Sequence, residues 1–474
     1  MRYKIIIIIV SILSFYFDNA SAHSNTTPSS NDGYHIKVNA PFAKGSMAYL
    51  AQYWKGAPYS IDSAQVSQNG TFTFAKPEKL ISGQYLLYIK PDTQIELLID
   101  KEQNNIEIDL NEDVSKSSIK GNEDTRWFWD YIRQYNILSS NLENLSNTIQ
   151  NKEVNNTDRI TAKEQYKKNI TEIENFFTQQ VTDRKGTWFA SFTKASQNIS
   201  VPYPFPDSDL QYQKNKQYLA QHYLDNIDFL DTRLWNTVFF TSLLDKYLFE
   251  IIPQHPDSIA QAATKIVYKT LNSDTAFELM LSHLYNEAST SNLMGMENVW
   301  AKLAEDYIFD KNINWIDSTS YSDLLAQYSL IQSNRLGMKA QDMKLMTIDG
   351  DSVHTNNIDA AYTLLYFYSP NCSHCDHEMP VLRNDFFPKY KHLGLKVIAI
   401  NVNSDVEEWK KFMEKHDMNI EGWVNLFDPN YQSQYWLKYE TNGTPSLYFL
   451  DKDKTIIARK INVESLEKIL NRER

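Results

Sequence analysis

The chain predicts a multidomain protein built from an N-terminal β-sandwich (33–121), a central α-helical array (122–335) and a C-terminal α/β domain (337–474). Three changes of texture carry this. Apolar and polar residues alternate in short runs over the first region, apolar residues recur at three- and four-residue steps over the second, and strand-like runs alternate with helical ones over the third. A chain of 474 residues is also too long for one ordinary core.

In the first region "HIKVNA", "NGTFTFAK", "SGQYLLYIK", "TQIELLID" and "NNIEIDL" are the expected strands. Ile106, Ile108 and Leu110 alternate with Glu107 and Asp109, which puts the apolar side chains on one face and the carboxylates in water. Short strands at this spacing predict a small antiparallel sandwich. No catalytic constellation stands out in it.

In the second region Trp127, Tyr131, Tyr135 and Leu138 lie on one helical stripe, and "NTVFFTSLLDKYLF" and "VWAKLAEDYIF" repeat the pattern. Such stripes are read as core. The prolines of "NISVPYPFPDSD" stop a helix, so this stretch is read as an ordered loop.

The third region opens with "MKLMTIDGDSVHT", a hairpin turning at Asp349 and Gly350. "TLLYFYS" is a strand buried on both faces. "CDHEMPVLRNDFFPKY" follows as a helix, then "LKVIAINV" (strand), "SDVEEWKKFMEKH" (helix), "WVNLFD" (strand) and "NYQSQYWLKY" (helix). "SLYFLD" and "TIIARK" form a second hairpin, and "NVESLEKILN" closes the chain as a helix.

A formal net charge of −12 without a basic stripe excludes a nucleic-acid partner. At the N-terminus Arg2 and Lys4 precede a thirteen-residue run from Ile5 to Phe17 and the small residues Ala20, Ser21 and Ala22. This is the layout of a secretory signal peptide (1–22) cleaved after Ala22. The run is shorter than the roughly 20 residues a membrane-spanning helix needs. No cysteine lies there to carry a lipid. The expectation is an exported, periplasmic protein, soluble after signal cleavage, in a compartment where disulfides form.

Both cysteines of the chain, Cys372 and Cys375, lie in "YFYSPNCSHCDHEMP". Cys372 falls just after a buried strand and at the start of a helix, where unpaired N–H groups and the helix dipole favour a thiolate. Cys375 is one turn on, within reach of a disulfide. His374 adds positive charge beside Cys372 when protonated. Zinc is the competing use of Cys372, His374, Cys375 and His377, but ligands crowded onto the first turns of one helix do not surround a tetrahedral ion. No metal site and no cofactor is expected.

With the CxxC after "LLYFYSPN", the helix proline Pro380 and "GTPSLYFLDKD" in view, residues 337–474 resemble the thioredoxin superfamily. Within it they are similar to the exported TlpA/ResA-like thiol-disulfide oxidoreductases, whose extra helix and strand match the stretch between "AINV" and "GTP". The resemblance implies a thioredoxin-like fold and disulfide exchange with protein substrates. It implies that Cys372 attacks, that Cys375 resolves, and that Thr444-Pro445 is a cis-proline loop binding the partner's extended backbone. Glu378 matches a glutamate that tunes thiol protonation in the ResA-like branch. Tyr366 departs from the buried aspartate of thioredoxins, and Ser373-His374 departs from their Gly-Pro, so both dipeptide residues are candidates for redox tuning. A reductase or isomerase fed by a membrane electron donor is the expected role. The alternatives are a Cu(I) metallochaperone using Cys372, His374 and Cys375, or a binding protein whose upstream domains carry the function.

Overall fold

The computed structural model describes residues 33–472, apart from 102, 292, 310, 312 and 442. The expected signal peptide lies outside the described residues. Among these residues no helix is long and apolar enough to cross a membrane. The chain divides into two compact units, one ending at Ile252 and the other beginning at Pro253. The helical stretch expected over 122–335 is therefore shared between two units.

The first unit contains strands β1 (Tyr34–Asn39), β2 (Met47–Trp54), β3 (Ala57–Gln65), β4 (Thr71–Lys76), β5 (Gly83–Ile89), β6 (Thr93–Ile99), β7 (Asn105–Asp109) and β8 (Ser118–Lys120). They form two four-stranded sheets, ordered β4-β1-β7-β8 and β3-β2-β5-β6. Ile36, Val38, Phe74, Ile106 and Ile108 from the first sheet share one buried cluster with Leu50, Tyr85, Leu87 and Leu97 from the second. The alternation read at Ile106 and Ile108 is thus the buried face of β7. An all-antiparallel arrangement does not hold, because β1 runs parallel to β7 while pairing antiparallel with β4. A parallel pair needs a long crossover, and β2 to β6 supply it.

The α-helices that follow among the described residues of this unit are α1 (Glu123–Ser139), α2 (Leu142–Gln150), α3 (Asn156–Asp183), α4 (Trp188–Ser196), α5 (Asp209–His222) and α6 (Phe240–Lys246). The Asn122 side chain caps α1 by accepting from Thr125 N–H at 2.8 Å. Tyr131 of the predicted stripe stacks on Phe176 with ring centroids 5.5 Å apart, as a packing role requires. The proline-rich stretch is an irregular segment held by Asn215, whose side chain bonds both N–H and C=O of Tyr203.

The second unit begins with α7 (Pro256–Tyr268), α8 (Asp274–Thr290), α9 (Met296–Tyr307) and α10 (Ser318–Ile331). It continues as β9 (Lys344–Met346), β10 (Ser352–His354), β11 (Tyr362–Tyr368), α11 (Ser373–Pro380), α12 (Phe387–Tyr390), β12 (Leu395–Asn401) and α13 (Val406–Lys415). Last come β13 (Trp423–Phe427), α14 (Tyr435–Tyr439), β14 (Ser446–Leu450), β15 (Ile456–Arg459) and α15 (Val463–Arg472). The seven strands form one sheet ordered β10-β9-β13-β12-β11-β14-β15. β11, β12 and β13 are parallel, β14 pairs antiparallel with β11, and β15 pairs antiparallel with β14.

β11 is an interior strand between β12 and β14, and its continuous apolar run is buried on both faces as expected. Leu364, Tyr366 and Tyr368 join Met379, Leu382, Trp409 and Leu466 on one face. Leu365 and Phe367 join Tyr435, Tyr439 and Tyr448 on the other. Each such side chain contributes roughly 1.5–3 kcal/mol on burial, so the strand that carries the cysteine loop is firmly held.

One helix is shorter than expected, and another is interrupted at its proline. α14 has five residues where ten were expected, because Gln434 before it and Glu440 after it both adopt left-handed backbone angles. The long helix after the cysteines is broken. α11 runs into a π-helical stretch at Val381–Phe386 before α12 resumes, and the break follows Pro380, which has no N–H to offer the preceding turn.

Candidate active site

Cys372 ends the loop after β11 and is the N-cap of α11, with φ −94° and ψ 113°. Its Sγ accepts from the backbone N–H of Cys375 at 3.2 Å, the position a capping side chain takes. The same sulfur lies 3.1 Å from the carbonyl oxygen of Thr444, to which the protonated thiol donates. The Thr444–Pro445 peptide bond is cis. Strand β11, helix α11 and the loop before β14 thus converge on one sulfur.

The two thiols have opposite electrostatics. Partial burial pushes the Cys372 pKa up. Hydrogen bonds from the Cys375 thiol, the Thr444 side chain and the N–H groups of Cys375 and His374 outweigh that push and bring it below the ordinary 9.0. Cys375 is fully buried, and burial, followed by the neighbouring Cys372 thiol, pushes it up to about 12. Both are free thiols. One sulfur is therefore half-exposed and easily ionised, and the other is covered and protonated.

Glu378 lies on α11, one turn after Cys375. Its Oε1 accepts from Val463 N–H at 3.1 Å, which caps the start of α15, and its Oε2 lies 3.4 Å from the hydroxyl of Tyr366. Burial raises its carboxyl above the ordinary range, against the lowering effect of those two bonds. It is not a solvated surface glutamate. Tyr366 is wholly buried, and burial together with the nearby Glu378, Cys375 and Cys372 raises its phenol.

Ser373 and His374 lie on the first turn of α11, outside the buried core. The backbone N–H of His374 is one of the groups that lower the Cys372 pKa. His377 is one turn further on, and among the described residues no group of His, Cys, Asp and Glu side chains is arranged to hold a metal ion.

Residues that sequence reasoning missed come from distant positions. Asp376, next to Cys375, accepts from Lys415 Nζ at 2.5 Å and lies 2.8 Å from His416 Nε2, tying α11 to the end of α13. Asn371, just before Cys372, donates to Glu408 on α13 at 2.8 Å. No local pattern marks partners nearly forty residues apart. Beside Pro445 opens a cleft of about 410 Å³ whose lining includes Glu378, Glu440, Thr444, Lys460 and Asn462.

The AhpC/TSA family model matches residues 336–459, and a model described as a domain of unknown function (DUF4369) matches residues 34–127. Thiol-disulfide oxidoreductase ResA of Bacillus cereus is 21% identical over 151 residues, covering 32% of this chain and 82% of the relative. ResA of Geobacillus kaustophilus is 24% identical over 158 residues, covering 33% of this chain and 86% of the relative. A solved thioredoxin-like protein from Bacteroides caccae is 19% identical with a TM-score of 0.43, covering 59% of this chain and 99% of its own. Residues 336–459 match the AhpC/TSA family model, and over this region the chain is similar to the ResA-type thiol-disulfide oxidoreductases.

Proposed function

We propose that the protein is an exported thiol-disulfide oxidoreductase that reduces or isomerises protein disulfides through Cys372 and Cys375. The observation that carries this reading is the asymmetry of the two thiols, one lowered and half-exposed, the other buried and raised to about 12. The Cys372 thiolate attacks one sulfur of a substrate disulfide, forming a mixed disulfide and releasing the other substrate sulfur as a thiolate that takes a proton from water. Cys375 then loses its proton and attacks the Cys372 sulfur. The second substrate thiol leaves, and the Cys372–Cys375 disulfide has given two electrons to the substrate. The thiolate cap on α11 favours the first step, and the high pKa of Cys375 keeps it in reserve until the mixed disulfide has removed the thiolate beside it.

Glu378 is the proposed acceptor of the Cys375 proton, because its raised carboxyl lies nearer in affinity to a thiol than a solvated carboxylate does. Pro445 and Thr444 are the proposed contact for the substrate backbone. Ser373 and His374, between the cysteines, are proposed to tune the thiolate. A reduced donor in the membrane returns the disulfide to dithiol. The signal peptide expected over 1–22 supports export to the periplasm, and the β region (33–121) and helical region (122–335) are proposed to position substrates for the domain at 337–474. The test is insulin reduction by the full chain with a supplied reductant. Turnover that vanishes in Cys372→Ala supports the reading, and turnover that persists there overturns it.

A further inference from the structure

Only a short loop joins α14 to β14, and it carries both Thr444, whose carbonyl touches Cys372, and Pro445. Its first residue, Glu440, holds a left-handed backbone (φ 47°) that a non-glycine residue adopts at a cost. The Glu440 carboxylate, mostly buried, accepts from Arg459 Nη2 at 2.7 Å and lies 2.6 Å from Lys460 Nζ. Lys460 has a left-handed backbone as well (φ 50°). Arg459 is 1% exposed, its guanidinium lies 5.5 Å from the Tyr448 ring, and its Nη1 is 3.9 Å from Glu297 on α9. Two strained residues and a buried cation therefore meet at the root of the loop that reaches the reactive sulfur.

A buried ion pair is a weak source of stability, since the desolvation of both charges offsets their attraction. A glycine would fit the backbone of residue 440 without strain. What the clamp supplies is a fixed carboxylate anchor, held from two directions, for the chain leading to Thr444. Both Glu440 and Lys460 also line the cleft beside Pro445.

We propose that Glu440, clamped by Arg459 and Lys460, is a positioning residue that sets Thr444 and Pro445 over Cys372 and so governs acceptance of a polypeptide disulfide. The inference rests on the exchange reading above. It does not require Glu440 to touch the reacting atoms. A small disulfide without a peptide backbone reaches Cys372 with little help from the loop, whereas an extended chain must lie along it.

The experiment compares full-length parent and Glu440→Gln in the reduction of insulin and of 4,4′-dithiodipyridine. The ratio of the two second-order rates, insulin over the small disulfide, is expected to fall about tenfold, as small misplacements of positioning groups do. Because Glu440→Gln leaves Arg459 buried and short of its partner, the double variant Glu440→Gln/Arg459→Met removes both charges together, and it is expected to melt cooperatively and show the same fall. An unchanged ratio in the double variant, whether both rates hold or both drop in parallel, overturns the positioning role. A parent that reduces neither disulfide overturns the exchange reading, and with it this inference. A parent active on both, with an unchanged variant ratio, overturns the clamp alone.

Discussion

The Tyr366 hydroxyl approaches the Glu378 carboxyl to 3.4 Å, and the tyrosine ring lies in the core cluster that also encloses Cys375. This pairing fills the strand position at which the sequence departs from a buried aspartate. Glu378 itself lies on α11, one turn after the second cysteine, against the tyrosine of β11. Burial there, against the lowering effect of the tyrosine hydroxyl, makes an acid that binds its proton more tightly than a surface glutamate does.

Glu378→Gln removes that acid while keeping its shape. Resolution of a mixed disulfide by Cys375 should slow by about a hundredfold if Glu378 takes the proton, in line with general-base contributions elsewhere. Attack by Cys372 should change much less. Stopped-flow measurement of the two phases separates them, and equal slowing of both phases would assign Glu378 to the fold alone.

The same carboxyl makes a pH prediction for stability. Its folded pKa lies above the unfolded value of about 4.5, so the folded state keeps a proton that the unfolded chain releases. Its contribution is full below 4.5 and is lost as pH rises through the folded value. Denaturant titrations across this window should show the parent declining relative to Glu378→Gln. A parallel pair of curves would contradict the burial cost.

Cys375→Ala should attack disulfides and stay attached to them, since the resolving thiol is gone, whereas Cys372→Ala should form no adduct. Non-reducing electrophoresis after exposure to a protein disulfide reads both. Adducts from Cys372→Ala would reverse the assigned roles.

The backbone contribution of His374 gives a graded test. His374→Ala keeps the N–H that faces Cys372, whereas His374→Pro removes it together with the ring. The Cys372 pKa should rise by up to about one unit in the proline variant and less in the alanine variant. Each unit corresponds to about 30 mV in the reduction potential, in the reducing direction. If alanine moves the pKa as far as proline does, the imidazole and not the backbone sets the thiolate.

A fragment beginning at Pro253 should melt cooperatively and at a higher temperature than one beginning at Leu336. Asn334 donates to Lys438 O at 2.9 Å, Asn298 donates to Leu336 O at 3.0 Å, and Arg459 keeps Glu297 within 3.9 Å, so the shorter fragment loses partners of buried groups. Calorimetry of the two fragments decides it, and equal melting temperatures would show that α7 to α10 are dispensable to the domain.

How much of this is legible in the sequence depends on the range of the interaction. Strand β11, the cysteine turn, Pro380 and the second hairpin are encoded locally, by continuous apolar runs and by proline, and the structure agrees with the sequence at each. Strands β2 and β3 escape such a reading. Met47, Ala48, Leu50, Ala51 and Gln52 favour helix as readily as strand, and the register shift near Leu50 and Ala51 breaks the alternation. Their turn, Lys55-Gly56, with both residues at positive φ, is a weaker hairpin signal than Asn-Gly. At the site, Cys372, Cys375 and Pro445 can be named from spacing and resemblance, but the pairings Tyr366–Glu378, Asp376–His416 and Glu440–Arg459 cannot. Those pairs are set by which strands and helices become neighbours, and no local periodicity links their members.

The pH dependence of alkylation at each cysteine tests the central claim most directly. With iodoacetamide and peptide mapping, Cys372 should react with an apparent pKa below the ordinary 9.0, while Cys375, held near 12 and covered, should stay unmodified through neutral pH. Two thiols that alkylate together with the same pKa would contradict the assignment of one as nucleophile and the other as its held reserve.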